Sequence, residues 1–245
     1  AHTAPHWPLH ALPEDIAKYH DTYAVGWDAI REARYDRMVK MGLIEADTAI
    51  LSQRIRKERS WDKNPNKDWD ARAMAVHAAM IDRVDQGIGR ILDKLEALGI
   101  SENTLIVFTS DHGHFYGHHG LTAKGAFHYE DMVRVPMIVS QPGKVAEGVV
   151  SDSLQSLVDY APSFLSTCDI PIPHAMTGID QTDVWYGNRK TIRDHCIVEN
   201  HHDPLTLHVK TYVGDRHKLT VYYQHEYGEL FNLESDPKEI NNLWN

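Results

Sequence analysis

Residues 105 to 128, LIVFTSDHGHFYGHHGLTAKGAFH, gather a dense set of side chains able to do chemistry. A short apolar stretch ends in Ser110-Asp111-His112-Gly113, and His114, His118, His119, Lys124 and His128 follow. An Asp oxygen beside a His nitrogen makes a pair of divalent-metal ligands. Carboxylate suits Ca²⁺ or Mg²⁺, and imidazole favours Zn²⁺ or another transition metal. Lys124 supplies a compact positive charge suited to a tetrahedral oxyanion. A metal ion and a lysine facing one anion would stabilise charge on its non-bridging oxygens. Against this stands a plainer reading: an Asp-His dipeptide after a strand is commonly a loop or a helix cap, and the neighbouring histidines are solvated. The residues alone leave a metal site, an anion site and a solvated loop open.

The elements that must hold this segment are readable around it. Thr104 to Thr109 and Val135 to Ser140 are short apolar runs without alternation, the pattern of strands covered on both faces in an α/β sheet. Ligands in such sheets bind beyond the carboxyl ends of the strands, so Asp111 and His112 should project from that edge. Gly113 lets the chain turn sharply away. Residues 70 to 98 predict a long helix with an apolar stripe through Met74, His77, Ala78, Ile81, Val84, Ile88, Ile91, Leu92, Leu95 and Leu98, stopped by Gly99 and read as core. Gly87 and Gly89 sit inside it, at about 1 kcal/mol each relative to Ala unless close packing needs them. Residues 14 to 40 predict one or two helices, 52 to 69 a polar loop, and 154 to 165 a helix despite Pro162. From about residue 190, CIVEN, LHVKTYV, HKLTVYY and ELFNL are short β-branched or aromatic runs between turns, which is an antiparallel sheet.

Composition narrows the function classes. The 245 residues are 42% hydrophobic, enough for one large domain or a domain with a small appendage. A net charge of −10 with neutral histidines gives no electrostatic footprint for nucleic acid or anionic lipid. A local basic group can still bind an anion. No apolar run of membrane-spanning length is present, and the first residues do not resemble a signal peptide. Cys168 and Cys196 allow one disulfide at most and do not define a compartment. The chain opens on Ala1 and a Pro-rich stretch, which reads as a piece of something longer.

Several ordered motifs together are more specific than the dipeptide. SDHGHFYGHHGLTAKGAFHYEDMVRVPMIVSQPG resembles the metal-and-lysine segment of the type I sulfatases, in the alkaline phosphatase superfamily. The likeness rests on Ser110 to Gly113, a Gly-x-His-Gly at Gly117 to Gly120, Lys124, Tyr129-Glu130, and Arg134-Val135-Pro136. TAPHWPLHA, Thr3 to Ala11, is similar to the sulfatase segment whose histidine contacts the sulfate. ELFNLESDPKEINNLW, Glu229 to Trp244, is similar to the C-terminal sulfatase signature. The resemblance implies a partial alkaline-phosphatase-like α/β sheet with flanking helices over residues 1–185 and a small antiparallel α+β subdomain over 186–245. It implies Asp111 and His112 as ligands of a divalent metal, most often Ca²⁺ with Mg²⁺ or another ion open. Lys124 would contact the sulfate and the leaving-group oxygen, and His119 would lie on the substrate side. His6 would hydrogen-bond the ester oxygen and serve as general acid, since expelling an alkoxide needs a proton donor or a cation. The implied substrate is a sulfated small molecule or glycan. Trp7 and His10 could line its entrance, and His201, His202 and Asp203 form a polar cluster that reads as a solvated turn.

One departure qualifies the resemblance. The family's nucleophile is a formylglycine made from the Cys of a Cys-x-Pro/Ala-x-Arg motif, and neither cysteine here lies in one. The aspartate pair of the family's first strand is also absent. The expectation is the C-terminal portion of a sulfatase, inactive without the N-terminal half of the same protein, which would carry the formylglycine and complete the metal site. A phosphonate or phosphate monoester hydrolase of the same superfamily, and a non-catalytic homologue that binds a sulfated ligand, are the alternatives.

Overall fold

The computed structural model describes residues 4–47, 49–51, 60–202 and 207–244. Thr3, Asp203 and residues 52–59 of the expected polar loop lie outside them, as does the side chain of His202. The chain divides into two compact units, Ala1–Leu98 and Gly99–Asn245.

The first unit is helical. Helices α1 (Pro13–Ala17), α2 (His20–Ala24) and α3 (Gly26–Lys40) precede a 3₁₀ turn at Trp61–Lys63 and the long helix α4 (Lys67–Ala97). Where one or two helices were expected before residue 40, three form. The reason for the last break is local: Gly26 has φ +86, and a Cβ there would lie 2.2 Å from the Trp61 ring. Only glycine permits both that backbone and that contact. Trp61 in turn packs edge-on to Trp27, with ring centroids 4.8 Å apart. A polar clip joins α1 to α4. Asp15, 2% exposed, accepts from Arg83 Nε at 2.8 Å and Gln86 Nε2 at 3.2 Å, and pairs with Lys18. Burial pushes its carboxyl up, but the hydrogen bonds from Lys18, Gln86 and Arg83 outweigh this and hold its pKa below the usual range.

Helix α4 has 31 residues and spans about 46 Å. It begins three residues before the expected start and ends two residues before Gly99, whose φ is +67. The expected stripe is corrected in part. The buried positions are Ala75, Ala79, Met80 and Gly87, whereas Ile81, Ile91, Leu92 and Leu98 are exposed. The five-residue α1 and α2 are too short to cover so long a helix. No helix among the described residues is long and apolar enough to cross a membrane.

The second unit is mixed α/β. Strand β1 (Ile106–Thr109) pairs antiparallel with β2 (Met137–Ser140), Phe108 opposite Ile138. These runs read as strands covered on both faces, but they form a two-stranded ribbon with Phe108 43% and Ile138 61% exposed. The apolar surface they carry exceeds what the chain's described residues cover. Short helix α5 (Glu130–Val133) leads into β2. The helix expected over 154 to 165 starts later: a capping box of Ser156 and Asp159 opens a 3₁₀ turn that runs into α6 (Tyr160–Thr167). Pro162 is tolerated because, in the first turn, its missing N–H had no intrahelical partner to lose. Helix α7 (Thr182–Trp185) follows. The expected antiparallel sheet forms from β3 (His195–His202), β4 (Leu207–Gly214), β5 (His217–Tyr222) and β6 (Gly228–Asn232), each paired with the next. Cys168 is exposed and Cys196 buried, both as free thiols.

Candidate functional site

Strand β1 delivers Ser110, Asp111 and His112 to its carboxyl end, where Gly113 brings the chain hard against α5. The Gly113 N–H donates to the Met132 carbonyl at 2.9 Å, and a Cβ on Gly113 would lie 1.7 Å from the Asp131 carbonyl oxygen. Glycine is needed here for close approach, not for a left-handed turn. Asp111 is well exposed and is braced by its neighbours: its Oδ1 accepts from the His112 N–H at 2.9 Å and the Ser110 hydroxyl at 3.2 Å. Partial burial pushes the Asp111 carboxyl up, but the His112 N–H and imidazole and the Ser110 hydroxyl bring it below the usual aspartate range.

His112 is oriented by its own backbone. Its Nδ1 lies 2.8 Å from the Gly113 carbonyl oxygen, a geometry in which Nδ1 carries the proton and donates it. The lone pair is then on Nε2, 3.6 Å from Asp111 Oδ2 and 3.5 Å from Lys124 Nζ. Lys124 sits on a loop drawn back toward the turn by Phe115 N–H to Ala123 O at 3.0 Å and Gly117 N–H to Leu121 O at 2.8 Å. The turn, the loop and α5 thus bring three of the expected residues, Asp111, His112 and Lys124, to one place. His6 belongs to the first unit, where it is exposed and its Nδ1 lies 2.7 Å from the Trp7 carbonyl oxygen. His10 lines an open hollow with Leu12, Met80 and Arg83 in the same unit.

The other histidines of the run have distinct surroundings. His114 stacks on Tyr116 with ring centroids 3.9 Å apart, and burial, then the charges of His112 and Lys124, push its pKa down. His118 Nδ1 contacts the Asp131 carboxylate. His119 has left-handed φ 51 and lies flat on Tyr129, centroids 3.9 Å apart. Its Nε2 is buried without a hydrogen-bond partner among the described residues. Burial, then His118, lowers its pKa. His128 is 6% exposed and joins a buried chain, Nδ1 to Thr211 Oγ1 at 2.8 Å and on to Thr220 Oγ1 at 2.8 Å. Burial above all, and then Lys218, pushes its imidazole down to about 4.

The segment behind the site is fastened to the C-terminal sheet, which sequence reasoning missed. The Tyr129, Tyr222 and Tyr227 hydroxyls all donate to the buried Glu229 carboxylate, at 2.7, 2.8 and 3.1 Å. Lys218, 1% exposed, pairs with Glu130 at 3.0 Å and Glu239 at 2.5 Å, and the Glu130 N–H donates to Glu239 at 2.7 Å. The available signal was the Asp-Pro-x-Glu of the C-terminal signature, whose glutamate is Glu239.

The Asp111 and His112 donors fit a divalent ion in type and span: two ligands of one ion, each about 2.0–2.3 Å away, lie about 3.5 Å apart. With Lys124 alongside, a bound ion and the ammonium would together suit an anionic group. Comparison with known proteins identifies the family. The family model described as Sulfatase matches residues 1–170, and that described as N-sulphoglucosamine sulphohydrolase, C-terminal, matches residues 117–245. The chain belongs to the sulfatase family, whose members generally use a divalent metal. It is 34% identical to the N-acetylglucosamine-6-O-sulfatase of Bacteroides thetaiotaomicron over 70% of its length, spanning 32% of that protein. It is also 34% identical to an arylsulfatase of Clostridium perfringens over 74% of its length, spanning 37% of that protein. In fold it is similar to a protein solved in complex with its substrate D-glucosamine-2-N,6-O-disulfate (TM-score 0.67, 24% identity, 97% of this chain and 48% of that one). It is likewise similar to the phosphonate monoester hydrolase of Agrobacterium radiobacter (TM-score 0.62, 23% identity, 87% of this chain and 45% of that one).

Proposed function

We propose that this chain supplies the metal-and-lysine half of a sulfatase active site, and that the protein it belongs to hydrolyses a sulfate ester of a small molecule or glycan. The observation that carries the reading is the placement of the His112 ring: Nδ1 lies against the Gly113 carbonyl, so Nε2 is turned toward Asp111 and Lys124. In this reading Asp111 and His112 hold a divalent ion, Ca²⁺ in the family's usual usage. When bound, the ion would neutralise charge on the sulfate oxygens. Lys124 places its ammonium toward the sulfate and the departing oxygen, where positive charge counts most as the ester bond breaks. His6 is the proton donor to the leaving alkoxide. His119, which the resemblance puts beside the substrate, turns Nε2 to the interior.

The nucleophile comes in this reading from the rest of the protein. Cys196 is buried with its thiol pKa pushed up by burial, the opposite of an activated nucleophile. The chain spans about a third of the two curated relatives compared, and two ligands do not close a divalent site. The test is aryl sulfate hydrolysis by the full-length protein and by this chain alone. Full-length turnover should fall about 10²–10³-fold on Lys124→Ala, the size seen on losing one transition-state donor. The chain alone should show none. Turnover by the isolated chain, or a full-length Lys124→Ala protein with unchanged turnover, overturns the reading. Likeness to the phosphonate monoester hydrolase supports one second reading; faster full-length hydrolysis of a phosphonate monoester than of a sulfate ester would favour it.

A further inference from the structure

Three side chains bracket the Lys124 loop without belonging to the Asp111–His112 pair. His118 and His119 precede it and Asp131 follows it, and one ligand atom from each lies within 4.8 Å of the other two. All three side chains are half-buried. His118 Nδ1 already meets the Asp131 carboxylate. His119 Nε2 is the telling atom. It is buried and has no partner among the described residues, a state that typically costs about 1–3 kcal/mol for a polar group. Nor is its ring free to turn away. It is pressed on Tyr129, and Tyr129 is held by its bond to Glu229.

We propose that His118, His119 and Asp131 form a second cation site, for a divalent transition metal of the Zn²⁺ type, and that the ion locks the loop carrying Lys124. Two imidazole nitrogens and one carboxylate oxygen are a borderline donor set: they suit Zn²⁺, leave a fourth position to water, and discriminate against Ca²⁺, which needs six or more oxygens. Binding takes the proton off His118 Nδ1, to its own Nε2 or to solvent, and satisfies the orphaned His119 nitrogen. The chelate joins His119 to Asp131 across the loop, so Lys124 loses freedom when the ion is bound. The ion is a fastener here and touches no substrate. The inference does not depend on the sulfatase reading, since it concerns other ligands and another readout.

The test uses this chain, stripped with chelator and titrated with Co²⁺ as a coloured stand-in for Zn²⁺. One equivalent should give a visible tetrahedral-type band that Zn²⁺ displaces and Ca²⁺ does not. His118→Gln and Asp131→Asn should each abolish the band, while the double variant Asp111→Asn/His112→Gln keeps it. Zn²⁺ at ten times its Kd should slow tryptic cleavage after Lys124 about tenfold, because binding depletes the open loop in proportion to occupancy. No stoichiometric band, or a band that survives Asp131→Asn and disappears with the Asp111→Asn/His112→Gln pair, overturns the proposal. Should His118→Gln lose its circular dichroism, the wild-type band and its indifference to Ca²⁺ still decide.

Discussion

His128 should make the C-terminal sheet sensitive to mild acid. In the folded chain its imidazole is driven down to about 4, first by burial and then by the positive charge of Lys218. The same ring in the unfolded chain titrates near 6.5. Below that value the unfolded state binds a proton that the folded state refuses, so stability is intact above about pH 6.5 and drains away as pH falls toward 4. The difference of about 2.5 pH units is worth about 3 kcal/mol when complete, and about 2.5 kcal/mol by pH 4.5. A single unfolding midpoint is a poor probe of a chain with two compact units. Hydrogen exchange of the amides in β4 and β5, flanking the Thr211–Thr220 contact, reads the right region. The comparison is wild type against His128→Gln at the same pH, which cancels the chemical exchange rate and every shared carboxylate. The variant should be less stable at pH 7.5, having lost a buried ring and a hydrogen bond. Its disadvantage should shrink by about 2.5 kcal/mol at pH 4.5, because only the wild type has a refused proton. A wild-type–variant gap constant to about 0.5 kcal/mol over that range would refute the reasoning.

Two further substitutions test the packing that holds the site. Lys218→Met should cost about 3–5 kcal/mol in unfolding of the second unit, since it strands the buried Glu239 carboxylate. Adding Glu239→Gln should recover part of that loss, and a single-variant cost under about 1 kcal/mol would mean the pair is not a buried one. Gly89→Ala should stabilise α4 by about 0.5–1 kcal/mol, read from hydrogen exchange of the α4 amides, because a Cβ there meets nothing within 4 Å. Weaker protection of those amides in the variant would show a contact at Gly89 that the helix surface does not present.

Much of the fold was legible where a local rule suffices. Helix α4 announced itself by its period and by Gly99, and the C-terminal strands by β-branched and aromatic runs between turns, to which the structure adds an alternation, with Val209 and Thr211 inward and Lys210 outward on β4. The Ser110–Gly113 turn was legible because it ends an apolar run. What stayed hidden depends on distant partners. Nothing near Lys218 says that this lysine is buried. Nothing near residue 26 says that a tryptophan 35 positions on forbids a side chain there. Phe108 and Ile138 read as covered on both faces because an unbroken apolar run records an environment, and the described residues cover only part of it. The five histidines of the opening run look alike in sequence. Only their neighbours separate the oriented His112, the orphaned His119 and the acid-sensitive His128.

The fastening of residues 128 to 130 also sets an order of events at the ribosome. His128 is tied to a residue 83 positions on, Glu130 to one 88 on, Tyr129 to one 100 on, and the Glu130 N–H to one 109 on. At synthesis rates of about 5–20 residues per second, those anchors emerge roughly 5–20 s after the segment they hold. During that interval the lysine loop has left the exit tunnel while its foundation is still being translated. A nascent chain stalled before β6 should therefore be cleaved after Lys124 faster than one released after Glu239.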